Sequence, residues 1–137
     1  MQPSPELREI ITGWFTSVAS GDSSWADRHI SRSAGVRLIG TDPSEWLAGA
    51  EVAAFLKEEV RAMAGVVQVA PGETEAFVEG TVGWGVARPT LTMPGGMEVH
   101  PRWGAVFHRE EGEWKLVQLH ASVGVSNAEL FGMEVTG

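Results

Sequence analysis

The most strand-like stretch of the chain, residues 113–124, reads EWKLVQLHASVG and carries a histidine among apolar residues. Gln118, His120 and Ser122 alternate along it, and an imidazole with an ordinary pKa of about 6.5 suits proton transfer near neutral pH. Side chains on a strand point alternately to opposite faces, so these three share a face with Trp114 and Leu116. That face turns from apolar to polar along its length. A strand whose far end lines an interior pocket would show this change. His120 is then a candidate catalytic base or a donor to a ligand, and Gln118 a binding residue. The plain alternative is a histidine satisfied by Gln118, Ser122 or the backbone.

Other candidates gather around the same predicted pocket. A hairpin closing near EEGE sends Arg102 and His120 toward the same far end of their strands, although register leaves open whether they share a face. Arg102 would anchor a carboxylate, or else form a structural ion pair with Asp42 or a glutamate. Asp42, in GTDPSEW, is the second catalytic candidate; an Asp before Pro is equally an ordinary turn residue. Trp84, bracketed by glycines that would leave room for a ligand, offers an aromatic wall. Trp14 and Phe15 offer a roof, and Trp46 a further ring. Each of these aromatics also fits a plain core role.

Several chemistries lack support. His100 and His108 share a strand face, but eight residues at ~3.3 Å each separate them by roughly 26 Å. His29 and His120 belong to no metal-binding motif, so no metal is expected. No glycine-rich phosphate loop is present, and no cofactor is expected. The absence of cysteine removes thiol catalysis and disulfides. The absence of tyrosine removes phenolic acid chemistry. With 10 basic against 18 acidic residues the net charge is −8, which disfavours nucleic acids and anionic membranes as partners. The 43% hydrophobic content over 137 residues fits one globular domain, residues 1–137. No signal-like segment or membrane-length apolar run is seen, so a cytoplasmic location is expected.

The elements that must position these groups follow from the hydrophobic pattern. Ser4 and Pro5 start a helix, Leu7, Ile10, Ile11, Trp14, Phe15 and Val18 form its stripe, and Gly21 ends it. A short helix over about 23–31 follows. Then come a strand in GVRLIG, a turn in TDPSEW and a helix over roughly 49–64 with Val52, Phe55, Leu56, Val60 and Met63 on its stripe. From Val66 the pattern becomes one of strands separated by PGE, PGG and EEG, and VEGTVGWG is expected either as one bent strand or as two. SNAELFG reads as a short helical tail. Helices first and antiparallel strands afterward predict an α+β fold. Trp103, Ala105 and Phe107, with Val117, Leu119, Ala121 and Val123, form a second apolar surface. If the helices cover the other face, a homodimer is the economical cover for it.

This order of elements, together with IGTDPSEWLAG and the closing RWGAVFHREEGEWKLVQLHASVG, resembles the NTF2-like superfamily and, within it, the SnoaL-like domains, from Leu7 to about Leu130. The closing segment is similar to that group's last hairpin: an Arg-led strand, a tight acidic turn, and a Trp-Lys-aliphatic strand ending in His-x-Ser. The resemblance implies an NTF2-like cone, with N-terminal helices packed on a strongly curved antiparallel sheet and a pocket at the open end. It implies dimerisation through the outer sheet face and an inward-pointing His120. It does not name a reaction, because such domains include isomerases, dehydratases, cyclases, hydrolases and binding modules. The steroid isomerase pattern needs a tyrosine that this chain lacks. Its three aspartates, Asp22, Asp27 and Asp42, all lie in the first third, which also breaks the epoxide-hydrolase pattern. The expected function is binding of a small apolar or aromatic ligand, anionic if Arg102 holds it. A cofactor-independent isomerase, dehydratase or cyclase using His120 or Asp42, and a structural dimerisation module, are the alternatives.

Overall fold

The computed structural model describes residues 1–133. In chain order the elements are β1 (Gln2–Pro3), α1 (Pro5–Ser20), α2 (Ser24–His29), β2 (Arg37–Ile39), β3 (Trp46–Ala48) and α3 (Ala50–Met63). There follow β4 (Gln68–Glu79), β5 (Val82–Thr92), β6 (Glu98–Val99), β7 (Pro101–Glu110), β8 (Glu113–Val123) and α4 (Asn127–Phe131). The fold is the expected α+β arrangement. The Ser4 hydroxyl accepts from the Leu7 N–H at 3.1 Å, which starts α1. Gly21, left-handed at φ 80°, ends it.

The strands form one sheet in the order β1-β4-β5-β7-β8-β2-β3, with β6 added beside β5. Every pairing is antiparallel except the parallel one between β2 and β8. Pro71-Gly72, expected as a turn, is instead a bulge inside β4, where the register shifts between Ala70 and Glu73. Gly72 sits at φ 65° with the Arg88 carbonyl against it, a position that excludes any Cβ. VEGTVGWG, in turn, is two strands: β4 and β5 join in a tight hairpin at Gly80-Thr81, with Glu79 opposite Val82. Bulges bend and twist the strands that carry them, so the sheet curls around the helices.

A second bulge decides which side chains face the helices. Val106 pairs with Gln118 and Phe107 with Leu116, so Val117 has no partner across the ladder. Alternation is therefore interrupted within β8. Trp114 and Leu116 are buried before the bulge, and Leu119 is buried after it. The strict alternation expected from sequence fails at this residue. His120 follows the exposed set and lies on the outer face, not in the cone.

The same shift corrects the expected dimer surface. Trp103, Ala105, Phe107 and Leu119 belong to the inner face and are buried in the common core with Leu7, Ile11 and Phe15. The rings of Phe15 and Trp103 meet edge-on at 5.5 Å. The helices already cover most of the surface that appeared to need a second chain, while Val123 stays 47% exposed.

α1 reaches the sheet by using the glycines of β5. A Cβ built at Gly83 would lie 2.7 Å from Leu7, and one at Gly85 would lie 2.2 Å from Ile11. The space beside Trp84 thus belongs to the helix rather than to a ligand. Gly85→Ala should cost about 1–3 kcal/mol through overpacking at this contact. Urea unfolding monitored by circular dichroism would detect the loss as a lower midpoint with an unchanged slope.

Candidate functional site

Two concavities lie on opposite sides of the sheet. The inner one is a chamber of about 170 Å³ between the helices and the concave face. α1 contributes Trp14 and Phe15, and α3 contributes Phe55, Glu59 and Met63. Leu91, Trp103, Leu119 and Ala121 form its sheet wall. Thr41 and Glu45 close one side from the segment between β2 and β3. Four aromatic side chains therefore surround a space whose charged lining residues are Glu45 and Glu59.

Glu59 is present because of helical spacing. Phe55, Glu59 and Met63 lie four residues apart and form one row along α3, beside the buried Val52, Leu56 and Val60. A carboxyl group in that row must face the cavity. Burial makes its ionised form costly, and the neighbouring Glu45 adds repulsion, so its pKa is raised from 4.5 to about 7. The signal was legible in the sequence as an acidic residue between Phe55 and Met63 on an apolar stripe, yet sequence reasoning passed over it.

Glu45 is held by its loop. Its backbone N–H donates to the Asp42 carbonyl at 2.9 Å, and its carbonyl accepts from Gly40 N–H at 2.9 Å. Its side chain lies directly over Gly40, where a Cβ would approach Oε1 to 2.1 Å. Gly40 thus lets a carboxylate lie flat at the chamber wall.

The sequence-predicted residues divide between the two sides. Trp14 and Phe15 line the chamber. Asp42 is exposed and does not reach it: its carboxylate accepts from Ser44 N–H at 2.9 Å and from the Ser44 hydroxyl. Those bonds, the side-chain one first, hold its pKa below the usual value, which makes it a weak base. Trp84 faces outward and stands 6.4 Å from Phe77. Trp46 is 73% exposed.

Arg102, His120 and Ser122 do come together, but outside. Gly104 pairs with His120 and Arg102 with Ser122, and Arg102 Nε donates to Ser122 Oγ at 3.2 Å. With Glu73, Glu75 and Arg88 they line an open outer groove of about 480 Å³. Gln118 is exposed on the same strand, opposite Val106. The groove's two guanidinium groups, Arg88 and Arg102, and the Ser122 hydroxyl could hold an anion, opposed by Glu73 and Glu75 on β4. Among the described residues, no group of three or more His, Asp or Glu side chains is arranged to hold a metal ion.

The raised Glu59 pKa has a sign that can be checked. Between pH 4.5 and about 7 the folded chain keeps a proton that the unfolded chain has lost, so stability falls as pH rises through this window. Below pH 4.5 the difference vanishes, and above about 7 the penalty is complete. Glu59→Gln should remove this slope and stabilise the protein by up to about 3 kcal/mol at pH 8. Denaturation midpoints of both forms at pH 5 and pH 8 measure it; parallel curves would contradict a carboxyl enclosed in this way.

Comparison with known proteins agrees with the architecture. An NTF2-like protein of unknown function from Pseudomonas putida superimposes with a TM-score of 0.76 at 12% identity, over 90% of this chain and 88% of that one. A candidate dehydratase of the NTF2-like family from Streptomyces avermitilis gives 0.73 at 19% identity, over 88% and 95%. The association domain of CaMKII from C. elegans gives 0.67 at 12% identity, over 86% and 93%. At these identities the likeness concerns the fold. No curated protein matches the sequence. The profile of SnoaL-like domains matches residues 7–126, and the chain belongs to that family.

Proposed function

We propose that the protein binds a small, mainly apolar molecule in the inner chamber, with Glu59 meeting its polar end. The observation that carries this reading is the Phe55-Glu59-Met63 row, which turns one carboxyl into a cavity of about 170 Å³ with aromatic walls. An enclosed apolar site with very few polar groups is the usual form of a small-molecule pocket. Replacing Ala121, which lines the chamber, by Trp fills it from the sheet side. Native mass spectrometry of protein purified from its own host should show a retained small molecule in the wild type. Ala121→Trp, folded by circular dichroism, should have lost it. Retention by neither form, or equally by both, counts against the chamber as the binding site.

A second reading is favoured by one specific feature. A carboxyl with a pKa of about 7 is suited to both taking and returning a proton at neutral pH. Any cofactor-independent isomerase or dehydratase chemistry in the chamber then falls to Glu59, since Asp42 and His120 stand outside it. The solved relatives of this fold include a candidate ketosteroid isomerase from Shewanella frigidimarina and the candidate dehydratase already described.

The outer sheet face supports pairing of two chains. Val86 is 51% exposed there, beside the groove that brings Glu73 and Glu75 close to Arg88 and Arg102. Such a face is self-complementary under a twofold axis, each chain's acids meeting the other's arginines. Sedimentation should give about twice the 14.7 kDa chain mass for the wild type. Val86→Asp should shift the equilibrium to single chains. An unchanged mass for the variant would place any association elsewhere.

A further inference from the structure

The charge carried by the chamber's occupant can be inferred, provided the chamber binds a ligand as proposed above. The four rings around it are Trp14, Phe15, Phe55 and Trp103. The faces of such rings are negative, and they attract cations within about 6 Å. Among the described residues, the charged side chains on the wall are Glu45 and Glu59, both acidic, and no Lys, Arg or His lines the space. Arg102, the arginine expected at a ligand site, lies across the sheet in the outer groove together with Arg88. The chain's net charge of −8 adds a field that draws cations toward the protein.

We propose that the chamber takes a small organic cation, a protonated amine or quaternary ammonium on an apolar body, held by the aromatic walls and the Glu59 carboxylate. The ammonium would replace a proton as the partner of Glu59. Burial, which otherwise favours the neutral acid, then favours the ion pair, because the charge is compensated where it lies. An anionic ligand would face two carboxyl groups without a cation to offset them. This reverses the anionic ligand suggested by Arg102 in the sequence.

The titratable neighbour of Glu59 in the chamber is Glu45, from the segment between β2 and β3. The chamber faces of α1 and the sheet present apolar and aromatic side chains with no titratable group. Occupancy by a cation should therefore release a proton at neutral pH, and the preference for a cation should decline as Glu59 is protonated.

Three probes of similar shape and different charge test the inference: benzylammonium, ethylbenzene and benzoate, titrated by ligand-observed NMR. At pH 8 benzylammonium should bind at least ~tenfold more tightly than ethylbenzene, with benzoate undetected. Its advantage should shrink at pH 5. Glu59→Gln should weaken benzylammonium binding by about tenfold while leaving ethylbenzene within about twofold. Ethylbenzene binding as tightly as benzylammonium, or benzoate binding best, would overturn the cation assignment and leave the apolar chamber standing. Unchanged benzylammonium binding by Glu59→Gln would overturn the role of that carboxylate. Failure of all three probes would overturn the cation assignment and the binding chamber together.

Discussion

The division of this molecule into an apolar interior and a polar outer groove depends on one residue without a cross-strand partner. Val117 interrupts the β7–β8 ladder, and every side chain beyond it changes face relative to strict alternation. Trp114 and Leu116 can then share the core with Leu119, which simple alternation would have set on the opposite face. Without the bulge, Leu119 and Ala121 would leave the chamber wall, and His120 and Ser122 would enter it. Burying the two aliphatic residues is favourable, and the two polar ones would need internal partners to be enclosed. The outward histidine is the arrangement with the lower cost.

Separation of charge follows from the same geometry. The sheet keeps Arg88 and Arg102 on its outer side, while α3 and the β2–β3 segment bring Glu59 and Glu45 to the inner side. Outside, charges are exposed to water and their interactions are weak. Inside, Glu59 has no cationic partner among the described residues, and the cost of ionising it raises its pKa to about 7. Such an arrangement sacrifices stability for a poised group, a pattern associated with functional sites.

Aromatic residues serve both packing and the chamber. Phe15 and Trp103 contact each other edge-on while also lining the cavity, so the same rings that hold α1 to the sheet shape the binding surface. Trp25 is fully enclosed behind them, with its ring N–H donating to the Ile10 carbonyl at 2.9 Å, and it fixes α2 against α1. Most of the chamber wall is thereby anchored in the core. The exception is the Gly40–Glu45 segment, which carries one of the two acids.

Much of the architecture was legible from local patterns. Ser4, Pro5 and Gly21 bound α1 because capping and left-handed backbone preferences are properties of single residues. The hairpin at EEGE and the α+β order follow likewise from turn chemistry and hydrophobic period. The inward direction of Trp14 and Phe15 was legible because the apolar stripe of their helix is explicit in the sequence. The side of the sheet taken by His120, Arg102, Gln118 and Trp84 was not legible. It depends on the Val117 bulge and on Leu7 and Ile11 occupying the space over Gly83 and Gly85, and both are long-range packing outcomes. Glu59 was visible as an acid on an apolar stripe, but its enclosure beside Glu45 required segments distant in sequence to meet. Sequence alone determined the elements and their order, because those are set by neighbours along the chain. Tertiary structure decided which groups share a cavity, because one unpaired residue reverses a strand's faces and burial alone sets the cost of a charge.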